Sequence, residues 1–325
     1  MVPRAGYRLK TIEAYGFSKK ISIDNIKKNI KTIKSIGTAK KIIKEFKPDI
    51  VIGTGGYICI PVILAANKAK VPTALHESNA FPGLAVKVLS KKVDKIFVGF
   101  KDAKDNLTRA KEVIVTGTPT KIKRQNLSVE QIREKRKNLG LKPEMPFVLI
   151  FGGSQGAKKI NDVIIEIIKK KMNKNYQIMW AAGQKNYEGI KEEFKELNLN
   201  IDEIENVKVV PYIYNMEDVM NIADLLVCRS GAITITEIAK LGKAAIFIPL
   251  PNVSHNHQEK NARVLQKAGA AYIILDAQLT SDKLNETINE IIKDREKLIQ
   301  MSENARKIDI ENVEGKIYNE IKKLV

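Results

Sequence analysis

Short apolar runs alternate along this chain with longer segments of helical periodicity. In the first half the strand-sized runs lie at residues 49–53, 73–76, 95–100 and 112–116, with a weaker one near 8–13. Between them, residues 24–46 set Ile26, Ile30, Ile33, Ile36, Ile42 and Ile43 at helical spacing among lysines, which predicts a basic amphipathic helix. A polar, charged stretch at 121–146 interrupts the pattern, and the alternation then restarts. Strands are expected at 147–151, 176–181, 207–211, 225–228, 244–249 and 271–275, with a helical tail over 281–325. Strands alternating with helices predict a parallel α/β architecture, here in two doubly wound units. Ligands of such sheets bind at the carboxyl ends of the strands. Every apolar run is too short to span a bilayer.

Two strand-to-helix turns in the second half carry residues suited to a phosphate. The first is Gly152-Gly153-Ser154-Gln155-Gly156-Ala157, followed by a helical pattern over 158–170. A strand, a glycine turn and a helix start aim backbone N–H groups at an anion, and the helix dipole adds to the attraction. The spacing is neither the Walker pattern nor the dinucleotide Gly-x-Gly-x-x-Gly, which argues against a dinucleotide-dependent oxidoreductase. The second turn, Arg229-Ser230-Gly231-Ala232, opens a helix over 233–241 with Glu237 one turn in. A carboxylate there either accepts from vicinal ribose hydroxyls or complements the helix dipole. Further on, Gln258 and Asn261 are spaced on a helix in a way that suits sugar hydroxyls or an ordinary polar surface.

The first half offers a matching set. Gly53-Thr54-Gly55-Gly56-Tyr57 again follows a strand, and the next strand ends in His76-Glu77-Ser78-Asn79. His76 and Glu77 suit either acid–base chemistry or a buried hydrogen-bonded pair. Gly117-Thr118-Pro119-Thr120-Lys121 closes this half. The net charge of +19 is uneven: residues 1–121 hold 24 Lys+Arg against 9 Asp+Glu, and the remainder 32 against 28. A basic first half points to an anionic partner. Neither a nucleic-acid motif nor interleaved aromatics accompany the charge, so nucleic acid is not expected. Cys59 and Cys228 are too few and too distant for a disulfide framework or a zinc cluster.

Taken in order, these motifs resemble the MurG family of glycosyltransferases, which transfer GlcNAc from UDP-GlcNAc to undecaprenyl-pyrophosphoryl-MurNAc-pentapeptide (lipid I). The resemblance runs over nearly the whole chain. It implies a GT-B fold of two Rossmann-like domains with parallel sheets facing a cleft. An acceptor and membrane-facing domain would occupy 1–121 and a donor domain 122–305, with the last helix, about 306–325, packing back on the first. Ser154, Gln155 and Gly156 would hold the UDP phosphates, Glu237 the ribose, and the Ile213 backbone the uracil. Arg229, Ala232, Ile233 and Thr234 would line the nucleotide pocket, with Gln258 and Asn261 nearer the GlcNAc. Tyr57, Gly55, Gly56 and Asn79 would face the acceptor.

Lys121 stands where the family usually has arginine, which keeps the charge but not the bidentate fork. His257 stands where it usually has glutamine. The family also opens with a strand, a Gly-Gly-Thr-Gly-Gly-His loop, a helix and a second strand ahead of Val2-Pro3-Arg4-Ala5-Gly6-Tyr7. On that comparison the N-terminal domain is truncated, and either an upstream start or a poorly active product is expected. The implied reaction is an inverting transfer without cofactor or metal, on the cytoplasmic face of the membrane. His76 and Glu77 are the candidates for acid–base work. The basic helix at 24–46 would dock on anionic lipid.

Overall fold

The computed structural model describes residues 2–16, 23–153, 157–251, 253 and 256–325. The chain divides into two compact units, Met1–Pro119 with Ile310–Val325, and Thr120–Asp309.

The first unit is built on four parallel strands in sequence order: β1 (Val51–Gly53), β2 (Thr73–Glu77), β3 (Lys95–Val98) and β4 (Val113–Val115). Helix α1 (Ile23–Phe46) precedes β1, and α2 (Cys59–Lys68), α3 (Leu84–Leu89) and α4 (Lys101–Asp105) form the crossovers. β2 and β3 are buried along their whole length, as strands covered on both faces must be. The weak strand expected near 8–13 is absent. That segment instead follows α1, where the Tyr15 N–H donates to Thr32 Oγ1 (2.9 Å) and Lys31 pairs with Glu13 (2.8 Å). With Leu9 55% exposed, it has no apolar face to bury in a sheet, and β1 is left as an edge.

The second unit holds six parallel strands: β5 (Phe147–Phe151), β6 (Gln177–Ala181), β7 (Val207–Val210), β8 (Leu225–Cys228), β9 (Ala244–Phe247) and β10 (Ala271–Ile273). Their spatial order is β10-β9-β8-β5-β6-β7, so the winding reverses between β5 and β8. Helices α5 (Val129–Asn138), α6 (Lys158–Lys169), α7 (Tyr187–Glu196), α8 (Met216–Ile222), α9 (Ala232–Leu241), α10 (His257–Lys267), α11 (Ser281–Lys293) and α12 (Arg295–Arg306) complete it. The core packs Trp180, Tyr176 and Ile150 against Ile160, Ile164 and Ile168 of α6. Its one indole N–H donates to Asn161 Oδ1 (3.1 Å), and Asn161 Nδ2 donates to the Ala182 carbonyl (2.9 Å). This buried amide therefore locks α6 to the end of β6.

The last helix, α13 (Val313–Lys322), belongs to the first unit. Lys95 of β3, only 7% exposed in its side chain, is held by Glu320 of α13 and, at 3.5 Å, by Glu112. Gly117 (φ +85°) fits against the residues leading into α13. A Cβ there would stand 2.9 Å from Val313 Cγ2 and 3.1 Å from Ile310 Cβ. Glu320→Ala leaves the Lys95 ammonium with one distant, half-exposed partner, and should lower the midpoint of chemical denaturation. Replacing both partners, as Lys95→Met with Glu320→Leu, should recover most of that loss. An unchanged midpoint in Glu320→Ala would show that the pair does not hold α13.

Candidate active site

The order reversal between β5 and β8 brings two strand-to-helix turns side by side at the carboxyl edge of the second sheet, the crevice where such folds bind ligands. On the β5 side Gly153 takes φ +87°, a conformation open to glycine, and α6 then starts at Lys158 with no side-chain cap. The expected phosphate contacts Ser154, Gln155 and Gly156 lie outside the described residues. On the β8 side Gly231 precedes α9, again without a side-chain cap. The amides of Ala232, Ile233 and Thr234 thus have no partner from their own helix, and they carry the positive end of its dipole.

Glu237 sits three residues after Thr234 and four after Ile233, on the same face of α9. It is half-buried and accepts a hydrogen bond from Thr120 Oγ1 (3.3 Å). Burial raises its carboxyl above the ordinary carboxylate value, with the Thr120 hydroxyl opposing. Lys121 follows Thr120 and is exposed. At the carboxyl end of β7, the Ile213 side chain is buried. Its backbone takes no part in the hydrogen bonds among the described residues. Tyr212 and Tyr214 flank it edge to face, with ring centres 5.0 Å apart.

Arg229, Gln258 and Asn261 meet at one place but are turned toward the protein. Arg229 Nη1 donates to the carbonyls of Ile248 (3.0 Å) and Pro249 (3.2 Å) and pairs with Asp276 (2.6 Å), while its buried Nε–H has no protein acceptor. Gln258 Oε1 accepts from the Leu250 N–H (2.9 Å), and its carbonyl accepts from Ser230 Oγ (2.8 Å). Asn261 is 1% exposed, and Nδ2 donates to the Ser230 carbonyl (3.3 Å). In this arrangement the three residues shape the loop ahead of α9. Thr120, Ser230 and Asp276 were not among the expected site residues. Asp276 lies 47 residues from Arg229, and no local pattern announces that pairing.

In the first unit the glycine loop after β1 has Gly55 and Gly56 at φ +89° and +77°, with Tyr57 half-exposed beside them. Cys59 Sγ donates to the Gly55 carbonyl (2.8 Å). At the end of β2, His76 Nε2 lies 3.0 Å from the Gly117 carbonyl and Nδ1 lies 3.3 Å from Ser78 Oγ. A carbonyl only accepts, so Nε2 carries the proton and Nδ1 accepts from the serine. Burial lowers the imidazole's pKa, against the Gly117 hydrogen bond and the Glu77 charge. Glu77 accepts from the Asn79 N–H and Nδ2 (both 2.9 Å) and from the Gly83 N–H (2.8 Å). In this structure both residues hold loop groups. Among the described residues no group of three or more His, Cys, Asp or Glu side chains is placed to hold a metal ion.

The comparisons with known proteins agree along the chain. Residues 147–316 match the glycosyltransferase family 28 C-terminal domain and residues 1–98 the family 28 N-terminal domain. A protein of Thermoanaerobacter sp. (strain X514) is 44% identical over 324 residues, covering 100% of this chain and 87% of its own length. It is named UDP-N-acetylglucosamine--N-acetylmuramyl-(pentapeptide) pyrophosphoryl-undecaprenol N-acetylglucosamine transferase. A protein of the same name from Halalkalibacterium halodurans is 40% identical, with the same coverage. Among solved structures, the crystal structure of Acinetobacter baumannii MurG matches with a TM-score of 0.76 and 27% identity. That match covers 99% of this chain and 87% of the other.

Two outcomes separate ligand binding from structural work. Glu237 has a raised folded-state pKa, so its contribution to stability is fullest at low pH and is lost as pH rises through that value. At neutral pH Glu237→Gln should therefore leave the melting temperature unchanged or higher. The same change should weaken UDP binding roughly tenfold or more, as expected for a charge-assisted hydrogen bond. A lower melting temperature with unchanged UDP affinity would instead make Glu237 a structural residue. His76 is neutral in the fold, so acid stability should fall as pH drops below the unfolded-state value of about 6.5. His76→Gln should flatten that fall and reduce turnover only modestly; loss of turnover at every pH would restore a catalytic role.

Proposed function

The chain belongs to glycosyltransferase family 28, and we propose that its second unit binds UDP-GlcNAc while its first receives a lipid-linked acceptor. It is an N-acetylglucosaminyltransferase of peptidoglycan synthesis, moving GlcNAc from UDP-GlcNAc onto undecaprenyl-pyrophosphoryl-MurNAc-pentapeptide. Relatives of that name are 40–44% identical over essentially the whole chain. The observation that carries the donor-site reading is the arrangement on α9, where uncapped amides and a half-buried carboxylate share one face.

In this reading the uracil meets the backbone of Ile213, and the Glu237 carboxylate accepts from the ribose hydroxyls. The diphosphate lies against the uncapped helix starts and the 152–157 turn, with Ser154, Gln155 and Gly156 as its contacts. Arg229, Ala232, Ile233, Thr234 and Lys121 enclose it, with Gln258 and Asn261 shaping the GlcNAc side. The C4 hydroxyl of MurNAc attacks the anomeric carbon from the face opposite the UDP. As the glycosidic bond to UDP breaks, charge grows on the diphosphate, where preorganised N–H donors stabilise it without reorganising. In this reading those donors, rather than a divalent cation, stabilise the leaving diphosphate. Tyr57, Gly55, Gly56 and Asn79 form the acceptor side.

The acceptor's lipid carrier requires the enzyme to work at a membrane surface. No described helix is long and apolar enough to cross one. Helix α1 exposes Ile30, Ile33 and Phe46 among its lysines, a composition suited to lying on anionic lipid. A second basic feature of the first unit supports the same reading. An open cavity of about 740 Å³ is ringed by Lys68, Lys70, Lys92, Lys111 and Lys323, with Leu324 at its rim. We place this unit on the cytoplasmic leaflet, as a peripheral protein.

The direct test is transfer of labelled GlcNAc to a lipid I analogue, with release of one UDP per transfer. Activity should persist in EDTA; abolition by EDTA with rescue by manganese would overturn the metal-free mechanism. Binding to phosphatidylglycerol-containing vesicles should fall steeply with salt. Neutralising Lys68, Lys70 and Lys92 together should weaken it while leaving UDP affinity intact, and salt-insensitive binding would argue against docking on anionic lipid.

A further inference from the structure

The last turn of α8 is surrounded by basic side chains drawn from four other parts of the second unit. Lys243, just beyond α9, donates from Nζ to the carbonyls of Asn221 (2.6 Å) and Ala223 (2.9 Å). Arg136 of α5 is buried, donates from Nε and Nη2 to the Ile222 carbonyl (3.1 and 2.8 Å), and pairs with Asp224 at 2.7 Å. The linker passes the same turn. The Gln125 N–H donates to Asn221 Oδ1 (2.9 Å), and Asn221 Nδ2 donates to the Lys123 carbonyl (3.0 Å), so Arg124 is fixed between two tethered neighbours. Arg306, at the end of α12, lies across Gly242, and its Nε and Cγ fill the space that a Cβ would take there.

Two of these four cations are explained by the fold. Lys243 and Arg136 satisfy carbonyls at the negative end of α8. Asp224 is occupied by Arg136 and by the Phe147 N–H (2.7 Å), and Asp218 of α8 by Gln125 and Lys135. Arg124 and Arg306 are different. Both are exposed, and among the described residues neither has a hydrogen-bond or ion-pair partner. They also act on one another: burial and the Arg124 charge lower the Arg306 pKa, with Glu303 opposing. Burial holds Lys243 down at about 8, where Arg136, Arg306 and Arg124 also lower it and Asp224 opposes. Like charges gathered at one turn destabilise a fold, and guanidinium groups are the donors that oxyanions select.

We propose that Arg124 and Arg306, with Lys243 beside them, form a binding site for a phosphate-type oxyanion at the amino-terminal edge of the six-stranded sheet. The site stands where β8 and β9 begin, the opposite edge from the nucleotide crevice. Arg124 lies four residues after the second unit begins and Arg306 three before it ends. An oxyanion there draws together the linker and the end of α12.

The test measures thermal stabilisation by inorganic phosphate at ionic strength matched with chloride, with and without saturating UDP. The second condition fills the nucleotide crevice; if UDP fails to bind at all, the comparison between proteins in phosphate alone still stands. Wild-type protein should be stabilised by phosphate in both conditions. Arg124→Gln and Arg306→Gln should each weaken phosphate roughly tenfold or more, and the double variant should lose the effect. Arg124→Lys with Arg306→Lys keeps the charge and should retain part of the affinity, which guards against a folding defect in the glutamine variants. Sedimentation with phosphatidylglycerol vesicles forms the second arm. Binding there that depends on Arg124 and Arg306 identifies a lipid headgroup as the source of the same chemistry, while a response to free phosphate alone identifies a soluble ligand. Equal phosphate stabilisation in wild type and double variant, together with vesicle binding indifferent to both residues, overturns the proposal.

Discussion

The structure depends most on how helix starts are satisfied. An α-helix leaves its first amides without internal partners, and a soluble protein ordinarily covers them with a side chain. Three of the described helices away from the crevice are covered in this way, while others, α7, α8 and α13 among them, begin without a capping side chain. Ser128 caps α5 in a reciprocal box with Gln131, Thr280 caps α11, and Asp294 caps α12. At the order reversal of the second sheet α6 and α9 also begin uncapped, on Ala157 and Gly231, which offer no oxygen. The donors left open at the crevice belong to the backbone, so their positions are set by the sheet itself. A diphosphate leaving group needs fixed donors of that kind, and the surrounding residues can be read as support for them. Asn161 ties α6 to β6, while Asn261 and Ser230 hold the turn ahead of α9.

Much of this was legible from sequence because strand, turn and helix leave local marks. The six strands of the second sheet fall where apolar runs predict them, and the turn at 229–232 was found from its serine and glycine, while residues 154–156 of the other turn lie outside the described residues. What escaped was what depends on distance along the chain. Thr120 meets Glu237 across 117 residues, and Arg229 meets Asp276 across 47. The weak run near 8–13 misled for a related reason. Its apolar residues are as frequent as in a short strand, but the segment does not pair with the open edge at β1, and α1 offers it polar partners. His76 and Glu77 look alike in sequence whether they move protons or hold loops. Their partners, the Gly117 carbonyl and the amides of Asn79 and Gly83, are not announced by the local sequence.

Charge was legible as a sum but not as a pattern. The first half shows its excess plainly, and the lysines of α1 and of the cavity beside α13 account for much of it. The second half is close to balanced, so nothing in its composition suggests a positive site. Its acids are used in surface pairs such as Lys169–Glu193 and Arg263–Glu259, far along the chain from the last turn of α8. Around Lys243 near that turn, Asp224 opposes Arg136, Arg306 and Arg124. A local excess of this size depends on which helix ends the fold brings together.

Glu237 shows how function and stability oppose one another in this fold. A carboxylate half-buried on α9 is disfavoured in its charged form, with one long hydrogen bond from Thr120 as partial compensation. An apolar or amide side chain would fit the position at lower cost to the fold. In the proposed donor site the hydroxyls of a ribose would complete its hydrogen bonds and make the charge favourable. The crowded guanidiniums at the opposite edge follow the same logic with the sign reversed. At both proposed sites a ligand would satisfy groups that the protein alone leaves under-satisfied, and binding free energy would be gained from that difference.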